Sequence, residues 1–461
     1  MTVIKKSTVW ICYLLGLLAL PQFFDSVLAI SIFNQMAIAI VFALSYNMLL
    51  GQGGMLSFGH AVYFGLGGVL AVHALVMIEF EILSFSIIWI PLVGGFIGLL
   101  AALFIGTFST HKAGTVFAMI SLGIGELIAA SSLIFVSFFG GEAGISGDRT
   151  FGPPFFGIEW FQNLEIYYLA VAWVFIATLF MYFFTLTPAG KMANAVRDNP
   201  ERAEFIGYSA RRVRYITFCA AGFFAGIAGG LFALNYEFIT EENLNAATSG
   251  RVLLSAYIGG LGYFIGPIIG AVVLTLMNSL LSNYSDLWML YLGIMFLLTV
   301  LFLPRGFAGF IMMHQMVWAQ GKIKSLVLPY LITGVPSFIF VIASVGLIEL
   351  SHTDEAEFYY LGLNFDSTTA IDFILISIAV LAALFCIRKS LPQLRAAWES
   401  ANEISDDDEK EAQSCACSRY MMSLKILARR KLFVASLSIS SGEKSMPLLA
   451  LMVRENLRSF I

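Results

Sequence analysis

Between Asn47 and His60 the sequence reads NMLLGQGGMLSFGH, and its polar members are two amides (Asn47, Gln52), a hydroxyl (Ser57) and an imidazole (His60). Such groups can bind a polar cargo by hydrogen bonds, or they can cap backbone atoms that a broken helix sets free. Gly51, Gly53 and Gly54 supply the break. Long apolar runs flank the stretch, which places it at bilayer depth, where an unpaired N–H or C=O facing lipid costs several kcal/mol. The segment is therefore expected to be buried in protein or to line a wet cavity. Two charged residues lie in similar surroundings, Glu126 in SLGIGELIAAS and Arg251 in SGRVLL. An ionisable group at that depth is a functional hypothesis by default. Glu126 could pair with backbone or with nearby hydroxyls, or stand near a substrate ammonium. Arg251 cannot attract an ammonium, but it can hold a carboxylate. An unpaired guanidinium costs about 2.5–3.5 kcal/mol on insertion scales. It should thus face a central cavity or meet a carboxylate, with Glu126 the nearest candidate by type.

Other chemistries lack their residues. No GxxxxGK[ST] occurs, and GQGGMLSFG has no Lys to reach a phosphate, so the chain is expected neither to hydrolyse ATP nor to bind a cofactor itself. Cys415 and Cys417 form a CAC pair without a second pair nearby, a weak metal site, and no metal is expected. Neither a nucleophile with its base nor a basic stripe interleaved with aromatics is visible, which speaks against a membrane enzyme and against nucleic acid as a partner.

The elements that must position these residues are membrane spans. The 461 residues are 59% hydrophobic and only 12% charged, with a mean hydropathy of +0.85. Soluble domains carry about 25% charged residues, so the chain reads as an integral membrane protein. A span needs roughly 20 apolar residues. Runs near that length lie at 7–24, 28–50, 55–78, 84–108, 113–138, 166–186, 215–236, 264–282, 287–303, 325–349 and 370–388, with a shorter piece at 246–260. The first has a basic start like a signal peptide but no clear cleavage site, and it reads as a retained helix.

Basic connectors alternate with acidic ones. Lys5 and Lys6, His111–Lys112, the stretch 187–214, Arg305 with Lys322 and Lys324, and Arg388 to Arg395 fall on one side. Residues 79–81, 142–165, 237–243 and 349–366 carry the acidic side chains between them. The positive-inside rule puts the N-terminus in the cytoplasm. The alternation closes if 246–282 enters from outside, reaches the cluster GGLGYFIG (Gly259, Gly260, Gly262 and Gly266) and returns, as a half-helix and helix or as a tight hairpin. The two glycine clusters form a weak internal echo, and paired interrupted segments point to a transporter's substrate route.

Four stretches then carry a family resemblance: SYNMLLGQGGMLSFGHAVYFGLGG (45–68), AVRDNPERAEFIGYSARRVRYITFCAAGFFAGIAGGLFA (195–233), GGLGYFIGPIIGA (259–271) and LPRGFAGFI (303–311). They resemble, in the same order, the permease subunits of ABC importers for branched-chain amino acids, and the likeness covers roughly 30–311. Many relatives carry Ser-Gly-Glu where this chain has Ser249, Gly250 and Arg251, a departure that touches substrate choice.

The resemblance implies a multi-pass protein of the bacterial cytoplasmic (inner) membrane. It also implies a second, related permease as heterodimer partner, two ATPase subunits that carry ATP and Mg, and a soluble substrate-binding protein. Branched-chain or related amino acids are the default cargo. Urea or short amides are the alternative, and an ion-coupled secondary transporter, which should show more carboxylates in its spans, is a further one. The residues agree at the loop 187–214. There Asn199 is a plausible N-cap, Pro200 suits a first turn, Glu201 favours the positive end of a helix, and Gly207 stops it. In the family this is the helix that couples to the ATPase, which gives Arg197, Asp198, Asn199, Glu201, Ala203 and Gly207 that role.

The expected architecture is an all-α polytopic membrane protein of about eight or nine helices plus broken or re-entrant segments. A permease core over 1–311 is followed by an appended transmembrane hairpin over 312–400 and a flexible cytoplasmic tail over 401–461. That tail carries an acidic run at 403–411, and SRYMMSLKILARRKLFVASLSI after it could form a membrane-surface helix.

Overall fold

A computed structural model describes residues 2–154, 157, 159–319, 322–352, 357–360, 363–366 and 370–402. Of the expected tail, residues 403–461, with the acidic run at 403–411 and with Cys415 and Cys417, lie outside the described residues.

The chain is helical almost throughout. Helix α1 (Thr2–Phe23) leads to α2 (Val27–Asn47), whose last turn loosens into a π-helical turn, Met48–Gln52. Then come α3 (Ala61–Glu79), α4 (Ile90–Ser109), α5 (Gly114–Ile134) and the short α6 (Val136–Phe139). Helix α7 (Asn163–Leu186) precedes two connector helices, α8 (Pro188–Asp198) and α9 (Pro200–Phe205), and the long α10 (Ala210–Tyr236). Next are α11 (Ala246–Gly259), α12 (Gly266–Leu276) with a second π turn (Met277–Leu281), α13 (Trp288–Phe302) and α14 (Gly306–Ala319). Helices α15 (Ile323–His352) and α16 (Ala370–Asn402) close the described chain. Two short antiparallel pairs, Ile145–Ser146 with Phe238–Ile239 and Glu357–Tyr360 with Leu363–Asp366, are the strands among the described residues.

Eight helices among the described residues are long and apolar enough to cross a membrane. The count is nine if Trp288–Phe302 and Gly306–Gln315, bent by 43°, form one broken span. The polytopic all-α fold expected from the sequence is the fold observed. The largest boundary difference is in the run at 370–388, which continues as helix to Asn402. The run at 55–78 becomes a helix only from Ala61, and the run at 113–138 breaks at Phe135.

The described chain falls into two compact units, Met1–Met316 with Val345–Asp372, and Val317–Ser344 with the described residues from Phe373 onward. In the first, α10 is the central post. Gly94 and Gly98 of α4 lie against the α10 backbone at Gly222, Gly226 and Gly230, so closely that a Cβ on either would overlap it. Small residues allow this approach, which replaces the hydrophobic drive that is missing between helices in lipid. Glu349, also in this unit, accepts hydrogen bonds from the hydroxyls of Ser285 and Tyr291 (2.6 Å for Tyr291). In the second unit, Val317, Leu326 and Ala401 make a small buried cluster flanked by Tyr330 and Trp398.

Candidate functional site

Three features of the first unit bring the polar residues together: the break after α2, the turn between α11 and α12, and the cavity beside them. At the break, the helix pattern ends at Gly53, and Gly54 turns the chain with φ +65°. Residues 55–60 run back along α2 without helical bonds of their own, so their backbone groups need other partners. Side chains provide them. Tyr46 Oη donates to the Ser57 carbonyl at 3.0 Å, Ser121 Oγ accepts from the Phe58 N–H at 3.2 Å, and Ser249 Oγ accepts from the Ala61 N–H at 2.9 Å.

His60 is fully buried at the head of α3, with Nε2 2.9 Å from Ser45 Oγ. Its ring stacks on Phe42 at 5.5 Å between centroids and meets Tyr46 and Tyr63 edge-on. His60, Gln52, Ser57 and Asn47 are all buried here and line none of the described cavities. Their Nδ1, Oε1, Oγ and Oδ1 atoms respectively have no hydrogen-bond partner among the described residues.

The second interruption is built differently. Helices α11 and α12 form a tight hairpin in which Gly259 lies against Gly266 and Gly270 against the Ser255 carbonyl. Gly260, at φ +109°, abuts Arg305 and Gly306, which lead into α14. Both arms of 246–282 are short, 14 residues in α11 and 11 in α12 before its π turn, against the roughly 20 that a span needs. Gly262 has open space around its Cα and takes no part in this packing. The two interruptions touch: Gly51 packs against the Leu261 carbonyl, and a Cβ on Gly51 would collide with it and with Asn47.

A cavity of about 190 Å³ opens between α2, α3, α10, α11 and α12. Arg251 lines it, and its Nη2 donates to Thr248 Oγ1 at 2.7 Å. Glu126 lies elsewhere, on a depression shared with Glu241 and Asn245. Sequence reasoning had offered Glu126 as the carboxylate for Arg251. No ion pair joins them among the described residues, because the α11 face that bears Arg251 turns to the helix bundle's cavity and Thr248 takes the guanidinium.

The connector between α7 and α10 folds as its sequence predicts and goes one step further. Thr187 caps α8, accepting from the Gly190 N–H at 3.2 Å, and Asn199 caps α9, accepting from the Arg202 N–H at 2.9 Å. Ala203 is buried in a small cluster with Ala193, Val196, Ala210 and Val213, and Gly207 ends α9 at φ +91°. Asp198, Glu201 and the tip residues Phe205 and Ile206 are exposed, Phe205 at 89%. Arg197 Nε pairs with Asp198 Oδ1 at 3.0 Å, while Nη1 donates to the carbonyl of Gly51, one of those that the helix break leaves free. Gly54 packs on the same arginine's side chain. The connector is thereby tied to the break.

Sequence reasoning missed Arg149, which is buried and clamps the end of α10. It donates to the carbonyls of Trp160 (3.1 Å) and Leu234 (2.9 Å) and to Asn163 Oδ1 (3.0 Å), and it pairs with Glu237 at 3.3 Å. Nothing in GDRT marks it in advance. Ser45 and Ser249 were nearer to reach, since each is a hydroxyl inside a quoted motif.

Comparison with known proteins identifies the family. A family model described as "Branched-chain amino acid transport system / permease component" matches residues 28–300, more than half of the chain. The chain is 26% identical over 293 residues to the high-affinity branched-chain amino acid transport system permease protein LivM of Escherichia coli K12, covering 58% of this chain and 67% of that one. It is 24% identical to the related LivH of Salmonella typhimurium over 282 residues, 58% of this chain and 90% of the relative. A shorter match, 27% over 154 residues, covers 32% of this chain and 47% of the guanosine ABC transporter permease protein NupQ of Bacillus subtilis. No solved structure gives a significant match.

Proposed function

This chain belongs to the family of branched-chain amino acid transport system permease components, and from that premise we propose that it is the transmembrane permease subunit of an ABC importer for branched-chain or related amino acids. In this reading it sits in a bacterial inner membrane with its N-terminus in the cytoplasm, beside a second, related permease. Two ATPase subunits hydrolyse ATP with Mg on the cytoplasmic side, and a soluble binding protein delivers cargo on the other.

The observation that carries the reading is the bond from Arg197 to the Gly51 carbonyl. A motor outside the membrane must push on something stiff. Helices α8 and α9 are capped at both N-termini, share a buried cluster, and present an exposed apolar tip at Phe205 and Ile206 that suits a groove on a partner. Arg197 links that lever to the broken end of α2, and Gly51 links α2 to the α11–α12 turn. Displacing the lever then moves both interruptions together, beside the cavity that holds Arg251. The other buried polar groups at the break, Asn47, Gln52, Ser57 and His60, hold the hinge rather than the cargo in this scheme.

The test is reconstitution with a second permease, two ATPase subunits and a soluble binding protein. ATP-dependent uptake of labelled leucine is expected, with no ATP hydrolysis by this chain alone. Asp198→Arg or Glu201→Arg should cut uptake while leaving membrane insertion intact. Normal uptake in both variants sinks the coupling assignment. The likeness to NupQ supports a second cargo class, a nucleoside, with urea and short amides as other neutral cargoes. Uptake of labelled guanosine or urea in place of leucine would select among them.

A further inference from the structure

The cavity between α2, α3, α10, α11 and α12 has an uneven chemical lining. Arg251 is the one charged residue on it among the described residues. Its guanidinium has five donors, and one hydrogen bond, to Thr248, is found. Thr248 is itself fixed: its hydroxyl donates to the Glu242 carbonyl at 2.7 Å and its N–H to Asn245 Oδ1 at 3.2 Å. The threonine oxygen thus holds one edge of the guanidinium and leaves the rest of the fork open. Ser255 stands one turn along α11, on the same face. Its hydroxyl is buried and has no partner among the described residues, and the residue lines the same cavity. The opposite wall is apolar, formed by Ile38, Phe42, Phe64, Phe232 and Leu274. Among the described residues no Asp or Glu lines the cavity.

A cation with open donors, an unsatisfied hydroxyl beside it and an apolar wall fit one ligand chemistry, an apolar chain ending in a single carboxylate. Guanidinium and carboxylate match in a planar, bidentate geometry. We propose that this cavity is a carboxylate-selecting station on the transport route, in which Arg251 and Ser255 take the carboxylate and the apolar wall takes the side chain. Among the described lining residues an ammonium finds only neutral oxygens, at Gln35, Tyr236, Asn243, Thr275 and Asn278 besides the Thr248 and Ser255 hydroxyls, so the carboxylate is the essential group and the ammonium is dispensable. The inference rests on the transport reading and narrows its cargo, setting amino acids and related carboxylates apart from neutral amides and nucleosides.

A cysteine-protection assay reads the station without requiring transport. Ala39→Cys, on the cavity wall, is introduced into the full chain in its complex, and the unsubstituted complex serves as control for the native cysteines. Leucine and 4-methylpentanoate are expected to slow thiol labelling at position 39, while leucinamide and urea leave it unchanged. Arg251→Gln should abolish that protection and lower leucine uptake roughly tenfold or more, the size of one charge-assisted hydrogen bond. Arg251→Lys, which keeps the charge and controls for folding, should retain part of both. Equal protection by leucinamide and leucine overturns the proposal, as does wild-type leucine uptake in Arg251→Gln. Carboxylate-specific protection in a complex that shows no ATP-driven uptake would uphold the station and overturn the importer reading instead.

Discussion

The two interruptions of the bundle solve the same problem with different materials. After α2 the freed backbone is satisfied by side chains: Tyr46, Ser121, Ser249 and Arg197 each bond a carbonyl or N–H of 51–61. Between α11 and α12 the solution is backbone laid on backbone, with Gly259, Gly260, Gly266 and Gly270 allowing two helices and the start of α14 to touch. A side-chain network can be weakened one bond at a time and can exchange partners. A glycine contact fails as soon as a Cβ is added. The first region is therefore suited to move as a hinge and the second to act as a fixed clasp.

The largest effect should come from the clasp. Gly270→Leu sets side-chain atoms into the Ser255 carbonyl, and overpacking alone costs about 1–3 kcal/mol where only side chains must yield. Loss of most folded protein on size-exclusion chromatography is expected, and near-normal yield would show that the hairpin is looser than described.

His60→Ala comes next. It removes a fully buried ring stacked on Phe42 and bonded to Ser45, for a cost of about 2–4 kcal/mol by analogy with large-to-small core changes. Because His60 lines no described cavity, thermal stability should fall while the concentration dependence of uptake stays unchanged. A shifted concentration dependence at unchanged stability would make His60 a cargo ligand.

Ser249→Ala is milder. It leaves the Ala61 N–H without its partner, at about 1–2 kcal/mol, and should lower the melting temperature without abolishing uptake. Smallest of all is Gly262→Ala. Nothing lies near that position, so stability should stay within about 0.5 kcal/mol of wild type. A large loss there would mean that the turn packs against something further.

Much of this contrast was legible in the sequence. Helix-breaking glycines between apolar runs announced both interruptions, and Asn199, Pro200 and Gly207 announced α9, because caps and stops act within a few residues. What stayed hidden depends on partners far along the chain. Helix α3 starts at Ala61 rather than near 55 because Ser121 and Ser249 pay the backbone's hydrogen bonds. The Arg149 clamp joins 149, 160, 163 and 234, a juxtaposition that no local pattern encodes. Residue type alone suggested Glu126 as partner for Arg251, whereas position gave Thr248. Arg197 was placed in the coupling loop by resemblance, but its bond to Gly51 required the fold.

That bond is the most direct point at which to test the account. In the reconstituted complex, uptake per ATP hydrolysed should be measured for wild type and Arg197→Gln, after matching the amount of assembled complex. If the connector drives the hinge through this arginine, ATP hydrolysis should persist while uptake per ATP falls roughly tenfold, the scale of one hydrogen bond to a charged group. An unchanged ratio of uptake to hydrolysis in Arg197→Gln would contradict the account.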